Sequence, residues 1–459
     1  MRTGKSKATV DKAMRLRTEG LIDAVLVLAP KGVHSDWANV HFAKHAWKGV
    51  PYYAHVWRST PASAALGAKH NRSLERLFAY RDGLAVFCVN SESIVHDRVH
   101  KVVSKFLRRR RVMLVCDESD DFRSPSSTRS RRARGFRDHC AFRQILTGTP
   151  VANSPLHAWA QFEILQREAL GFKNFGDFKA RYAEFTTITS RGGRTFPQLA
   201  GYQNLEELRT AMAKFASVVT RADVPGLPHL LPIRREVDLS PEAARTYEQL
   251  RKELIADIEG ERVTEAPDGG KRLIKLQQCL SGFVIGDDGR AHQLGDSNPR
   301  LAALVREVVD FPGKSLVWCQ FHYDVRAIVA ALAEEDVQSV EYHGLTSAPD
   351  RARNEGLFKT NPNVRVMVGT ASAGGRGKDF SSAGQIIWYS HTPNLVTRDQ
   401  GSERATVMGG LPIPVVDLVV PGTVEDRFLS MLELKRDLAD VLAGSGLAWL
   451  LRELREAGL

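Results

Sequence analysis

Three short strings in this 459-residue chain carry residue types suited to phosphate chemistry. The first is Gly4-Lys5-Ser6, which has the form of the end of a phosphate-binding loop, G-x-x-x-x-G-K-[ST]. In such a loop backbone N–H groups cradle phosphate oxygens, the lysine ammonium meets their charge, and the serine hydroxyl sits on a divalent cation. Aligned on that pattern, the leading glycine falls before Met1, so the chain reads as beginning inside its own nucleotide site. The second string is Asp117-Glu118, directly after the apolar run Val112-Met113-Leu114-Val115-Cys116. The first carboxylate can hold Mg²⁺, usually through water, and the second can orient and deprotonate an attacking water. The third, Gln144-Ile145-Leu146-Thr147-Gly148-Thr149-Pro150, is a strand entering a hydroxyl-rich turn.

The surrounding pattern says which elements must hold these residues. Residues 6–19 place Ala8, Val10, Ala13, Met14 and Leu16 at helical spacing, with Gly20 as a stop, and a phosphate loop is followed by such a helix. The runs Ala24–Ala29, Leu84–Val89 and Val112–Cys116 are short and wholly apolar, as strands buried on both faces are. Strands alternating with helical stretches mean a parallel sheet, with ligands at the carboxyl ends of its strands. From about 155 to 215 the chain turns helical and aromatic, interrupted by a Gly/Arg/Thr-rich loop at 186–195. Pro225-Gly226-Leu227-Pro228 through Leu231-Pro232 then punctuates it as linkers do. Residues 241–283 look helical again, broken at Pro267-Asp268-Gly269-Gly270, and strand and helix alternation resumes beyond Pro299. The expected division is a first domain at 1–232, with a helical protrusion at about 155–215, and a second at 233–459, with a helical insertion at about 241–290.

Composition agrees with two cores: 43% hydrophobic residues, including seven Trp and twenty Phe, is enough to fill both. The net charge of +11 is the balance expected of a protein that meets a polyanion. Five scattered cysteines with no C-x-x-C point to neither a disulfide framework nor a zinc site, and favour a reducing cytoplasm. No apolar run approaches roughly 18 residues, which argues against a membrane span. Two arginine clusters, Arg108 to Arg111 and Arg129 to Arg137, read either as phosphate contacts or as solvated faces and helix ends.

Taken together and in order, these strings resemble the superfamily-two ATPases of the Swi/Snf type, which translocate on double-stranded DNA. Leu28-Ala29-Pro30-Lys31 with Trp37 looks like the family's motif Ia, Asn90-Ser91-Glu92-Ser93 like Ib, Asp117-Glu118-Ser119-Asp120 like II, and Leu146 to Pro150 with Asn153 like III. Val317-Trp318-Cys319-Gln320-Phe321 looks like motif IV, with His343-Gly344, Arg351 and Phe358 like the next segment and Gly369 to Gly377 like V. Motif VI departs from the family pattern Q-x-x-x-R-x-x-R: Gln400 and Arg404 are present, but Val407 stands at the second arginine. The compact form is similar to short Swi/Snf-like proteins of bacteriophages.

The resemblance implies an α/β fold of two RecA-like parallel-sheet lobes with helical insertions, binding ATP and Mg²⁺ in the cleft and double-stranded DNA alongside. On it, Gly4, Lys5 and Ser6 bind ATP, Ser6 and Asp117 hold Mg²⁺, and Asp117, Glu118, Gln400 and Arg404 serve hydrolysis. Lys31, Ser91, Thr370 and Ser372 then face the DNA backbone. Arg404, or else Arg376 or Arg398, supplies charge to the transferred phosphate. The implied role is replication, recombination or repair of DNA; the rivals are a non-catalytic DNA-binding scaffold and a strand-separating helicase acting on branched DNA or RNA. A start codon upstream, a split gene or lost turnover would each account for the half loop, and a sheet lacking the strand that leads into it would carry an interior gap.

Overall fold

The apolar runs become parallel strands covered on both faces. A computed structural model of the chain describes residues 3–58, 63–148, 151, 153–189, 195–221, 223–259, 267–286, 288–374 and 379–443. In the first unit the strands are β1 (Ala24–Ala29), β2 (Tyr52–Val56), β3 (Leu84–Asn90), β4 (Val112–Asp117) and β5 (Phe142–Leu146), in the order β2-β3-β1-β4-β5. All four pairings are parallel. Alternate side chains split cleanly between two cores. Leu26, Leu28, Phe87, Val89, Leu114 and Cys116 enter one, while Val25, Val27, Val86, Cys88, Met113 and Val115 enter the other. Among the described residues this sheet shows no interior gap: β4 pairs with β1 on one side and β5 on the other, which makes β5 and β2 the two edges.

The region from 155 to 215 holds helices at His157–Leu165, Phe175–Tyr182 and Leu205–Ala213, joined by a satellite core containing Trp159, Phe162, Phe178, Tyr182 and Leu208. Of the loop the sequence suggests at 186–195, residues 190–194 lie outside the described residues, while residues 186–189 and 195 belong to strands β6 (Ala183–Thr189) and β7 (Thr195–Tyr202), which pair as a two-stranded sheet. The β-branched residues Thr186 and Thr187 favour the extended form of β6.

The second unit has β8 (Leu230–Glu236), the short antiparallel pair β9 (Phe283–Ile285) and β10 (Ala291–Gln293), then β11 (Ser315–Cys319), β12 (Ser339–Tyr342), β13 (Val366–Thr370), β14 (Gln385–Trp388) and β15 (Ile413–Val419). Its six-stranded sheet runs β12-β13-β11-β14-β15-β8, parallel throughout. Strand β8 runs through position 232 and pairs along its full length with β15. Helices Pro241–Glu259 and Pro267–Leu280 precede β9. Gly269 and Gly270 lie inside the second helix rather than in a break, with Pro267 opening it, where a proline's missing N–H costs nothing. The two-faced packing recurs: Val317, Val368 and Ile387 fill one core, and Leu316, Trp318, Met367 and Trp388 the other. The architecture is thus α/β, with two parallel sheets and helical insertions, as the sequence implies. Among the described residues no helix is long and apolar enough to cross a membrane.

One buried carboxylate sets a pH dependence. Asp324, on the helix His322–Glu334, is 1% exposed, and its Oδ2 accepts from Ser390 Oγ at 2.9 Å and Ser281 Oγ at 3.3 Å. The nearby Arg300 guanidinium is committed to Glu425. Burial therefore pushes the Asp324 carboxyl up to about 7. A folded value above the unfolded one means the contribution to stability is complete below the unfolded pKa and is lost as pH rises through about 7. Asp324→Asn is expected to flatten the fall in urea midpoint between pH 4 and pH 8 and to raise the midpoint at pH 8. A steeper fall in the variant would refute this account.

Candidate functional site

Because the strands of the first sheet are parallel, their carboxyl ends emerge along one edge, and that edge collects Pro30-Lys31 after β1, Ser91 after β3, Asp117 at the end of β4 and Thr147 after β5. The helix Lys5–Thr18 starts beside it. Gly4 caps that helix at φ +81°, a left-handed backbone in which a side chain is strained although the space around it is open. Ala8 N–H donates to Gly4 C=O at 3.0 Å, leaving the earlier N–H groups of the first turn without intrahelical acceptors, which is how a helix start attracts an anion.

Two hydrogen bonds tie this turn to the sheet. Thr9 Oγ1 donates to Lys5 C=O at 2.8 Å, and Gln144 Nε2 of β5 donates to Thr9 Oγ1 at 3.2 Å. The third string of the sequence thus braces the first. Asp117 receives Trp37 Nε1–H at Oδ2 (2.9 Å) and Glu118 N–H at Oδ1 (3.0 Å). Burial pushes its carboxyl up; the Trp37 bond, the Lys5 ammonium and the Glu118 N–H pull the other way, and burial wins. Lys5 and Asp117, 112 positions apart in sequence, therefore feel one another's charge. Glu118 adopts φ 48°, ψ 58°, rare for a residue with a side chain, and opens the 3₁₀ turn Ser119–Phe122. Ser119 Oγ donates to Gln161 Oε1 at 2.6 Å beneath that turn.

Of the residues assigned to DNA, Lys31 is exposed, its N–H donating to Glu92 Oε2 at 3.2 Å. Ser91 is fully buried and its hydroxyl donates to Asp121 Oδ2 at 2.7 Å, so it ties β3 to the turn after β4. In the second unit Thr370 ends β13 and is buried, while Ser372 is exposed. Thr149, Pro150 and Arg376 lie outside the described residues. Gln400 is buried in the helix Leu395–Glu403, Arg404 follows at its carboxyl cap, and Val407 is 42% exposed. Arg398 is bound instead to Asp417, its Nη2 lying 2.5 and 2.6 Å from the two carboxylate oxygens.

The arginine clusters resolve chiefly into structure. Arg110 Nη2 caps the carbonyls of Leu77 (2.9 Å) and Tyr80 (2.5 Å); Arg132 bonds Ile94 C=O and Asp97; Arg134 bonds Pro125 C=O and stacks 5.1 Å over Trp159; Arg137 is buried on Glu163. Trp37 is the residue whose role sequence reasoning missed: it belongs to a π-helical turn, Trp37–Phe42, and spacing gives no sign that its indole reaches a carboxylate 80 positions away.

Residues 3–281 match the SNF2-related domain and residues 299–409 the helicase conserved C-terminal domain. An uncharacterized ATP-dependent helicase of Mycoplasma genitalium is 21% identical over 333 residues, covering 71% of this chain and 30% of that protein. The TATA-binding protein-associated factor mot1 of Aspergillus fumigatus is 23% identical over 365 residues, covering 65% and 18%. The chain thus spans less than a third of the length of these curated relatives. The solved SWI2/SNF2 ATPase core of Sulfolobus solfataricus in complex with dsDNA is 19% identical, with 97% of this chain and 87% of that one covered and a TM-score of 0.38.

The Trp37–Asp117 bond is open to a direct test. Trp37→Phe is expected to lower unfolding free energy by about 1–3 kcal/mol in urea, the cost of removing a donor from a charged, buried acceptor. In an Asp117→Ala background the same change is expected to cost less, with a coupling of at least about 0.5 kcal/mol. Strict additivity would show that the bond contributes nothing.

Proposed function

The chain belongs to the SNF2-related family, and on that premise we propose that it is an ATP hydrolase that moves along double-stranded DNA in replication, recombination or repair. The observation that carries this reading is that the helix start opened by a left-handed Gly4 and carrying Lys5 is braced on β5 through Thr9 and Gln144, close enough for the Lys5 charge to act on Asp117 at the end of β4. A lysine and the first-turn N–H groups of a helix suit phosphate oxygens; a carboxylate whose charge is made costly by burial suits a cation.

In this reading the first-turn N–H groups, Lys5 and Ser6 hold the ATP phosphates, and Ser6 and Asp117 would hold Mg²⁺, which when bound neutralises charge on the phosphates. Trp37 and the Glu118 N–H fix the Asp117 carboxylate in one orientation. Glu118, at the left-handed turn that ends the strand, accepts the proton of the attacking water. Arg404 supplies positive charge to the transferred phosphate, and Gln400 orients groups around it. Lys31, Thr370 and Ser372 contact DNA phosphates, which position the protein without reading sequence.

A specific observation favours a second reading. Val407 is apolar and exposed where the family pattern has its second arginine, so the chain could bind duplex and hydrolyse ATP slowly or not at all, as a scaffold.

Phosphate release measured with duplex DNA, single-stranded DNA and RNA separates the cases. Duplex is expected to stimulate most. Lys5→Ala is expected to weaken nucleotide binding, whereas Glu118→Gln is expected to retain binding and lose turnover by at least about 100-fold. If the missing arginine limits the rate, Val407→Arg raises turnover by about tenfold or more. No release under any condition, with duplex still bound, supports the scaffold, and stimulation by RNA alone refutes the translocase.

A further inference from the structure

Two buried tryptophans form a shared floor beneath the segments assigned to DNA and to phosphate transfer in the second unit. Trp318 on β11 is 0% exposed and Trp388 on β14 is 1% exposed; their ring centroids lie 6.4 Å apart. The turn after β13 rests on the first: a Cβ added at Gly374 would come within 2.3 Å of Trp318 Cη2. The helix Leu395–Glu403 rests on both: a Cβ at Gly401 would come within 2.9 Å of Trp388 Cζ2 and 3.2 Å of Trp318 Nε1. Neither glycine has a positive φ, so what each position requires is close approach to an indole.

Both indole N–H groups are spent on that helix. Trp318 Nε1 donates to Gly401 C=O at 3.1 Å, and Trp388 Nε1 donates to Ser402 Oγ at 3.3 Å. Arg398, one turn earlier, lies 4.3 Å from the centre of the Trp388 ring and is held there by Asp417 of β15. Arg404 follows directly, its C=O accepting Phe380 N–H at 3.1 Å, and Phe380 itself packs on Trp318 at 5.9 Å between centroids. A close-packed interior transmits displacement because it has no space to absorb it. A shift of the turn carrying Ser372 must move Trp318, and Trp318 is bonded to the helix carrying Gln400.

We propose that Trp318 and Trp388 are positioning residues that couple DNA contact at Thr370 and Ser372 to the placement of Gln400 and Arg404. The proposal rests on the translocase reading above. It requires that softening the floor uncouple the two functions without abolishing either kind of binding, since neither indole is exposed to a ligand.

The test uses the full chain and four variants, Trp318→Phe, Trp388→Phe, Gly374→Ala and Gly401→Ala, with phosphate release measured with and without duplex. Duplex affinity, the KM for ATP and the thermal midpoint are followed in parallel. The expected result is a fall of at least about tenfold in duplex-stimulated kcat, the scale of sub-ångström to ångström misplacement of catalytic groups, with duplex affinity and KM changed by less than about threefold. Gly374→Ala, which presses on Trp318 from the DNA-side turn and meets Phe380 only at ordinary contact distance, is expected to lower stimulation as Gly401→Ala does. If stimulated kcat in the tryptophan variants falls only in proportion to the folded fraction, or if duplex affinity falls in step with kcat, the coupling role is wrong while the translocase reading stands. If the unaltered chain shows no stimulation by duplex, both fall.

Discussion

The constraint on which the structure depends is that its central strands carry apolar side chains on both faces and must be covered twice. In the first unit Leu26 and Val27, adjacent in sequence, enter opposite cores, and the same holds for Phe87 and Cys88 and for Leu114 and Val115. Parallel strands joined by helices satisfy this demand, and a parallel sheet aligns all its carboxyl ends. Polar residues that follow the apolar runs are thereby gathered on one edge. Lys31, Asp117, Glu118 and Thr147 share a neighbourhood because of what precedes them in the strands, before any interaction among themselves.

Burial of charge distinguishes the groups at that edge from those in the framework. Arg300 with Glu425, Arg398 with Asp417 and Arg137 with Glu163 are buried pairs in which each charge has its partner within the fold. Asp324 has the hydroxyls of Ser390 and Ser281, a backbone bond at Phe321 and the more distant Arg300 charge, and burial outweighs them and favours the neutral acid. Asp117 is different again. It keeps an indole donor, a backbone donor and the influence of a lysine, yet burial still raises its carboxyl, which leaves a negative charge that a further cation would stabilise. The excess of basic residues in the composition does not translate simply into a nucleic-acid surface. Arg110, Arg132, Arg134 and Arg137 spend their guanidinium groups on carbonyls and carboxylates of the protein itself.

Much of the fold is legible in the sequence, because apolar runs of five or six residues bounded by polar ones leave few other options. The helix after Gly4, the strands ending at Asp117 and Leu146 and the return of alternation after Pro299 all follow from local pattern. The strands β6 and β7 are less legible, since Thr-rich strand propensity and Gly-rich turn signals lie side by side, and the glycines at 269 and 270 suggest a break where the chain is helical. What the sequence by itself determined was the order of the elements and the chemical types at their ends. What only the tertiary structure decided was which of those groups meet: the Trp37 indole on Asp117, Gln144 bracing the first turn through Thr9, Ser91 turned inward to Asp121, and Trp318 beneath both Gly374 and Gly401. The physical reason is that side-chain pattern is a property of neighbours along the chain, whereas hydrogen bonds and burial depend on distances across the sheet that no local spacing encodes.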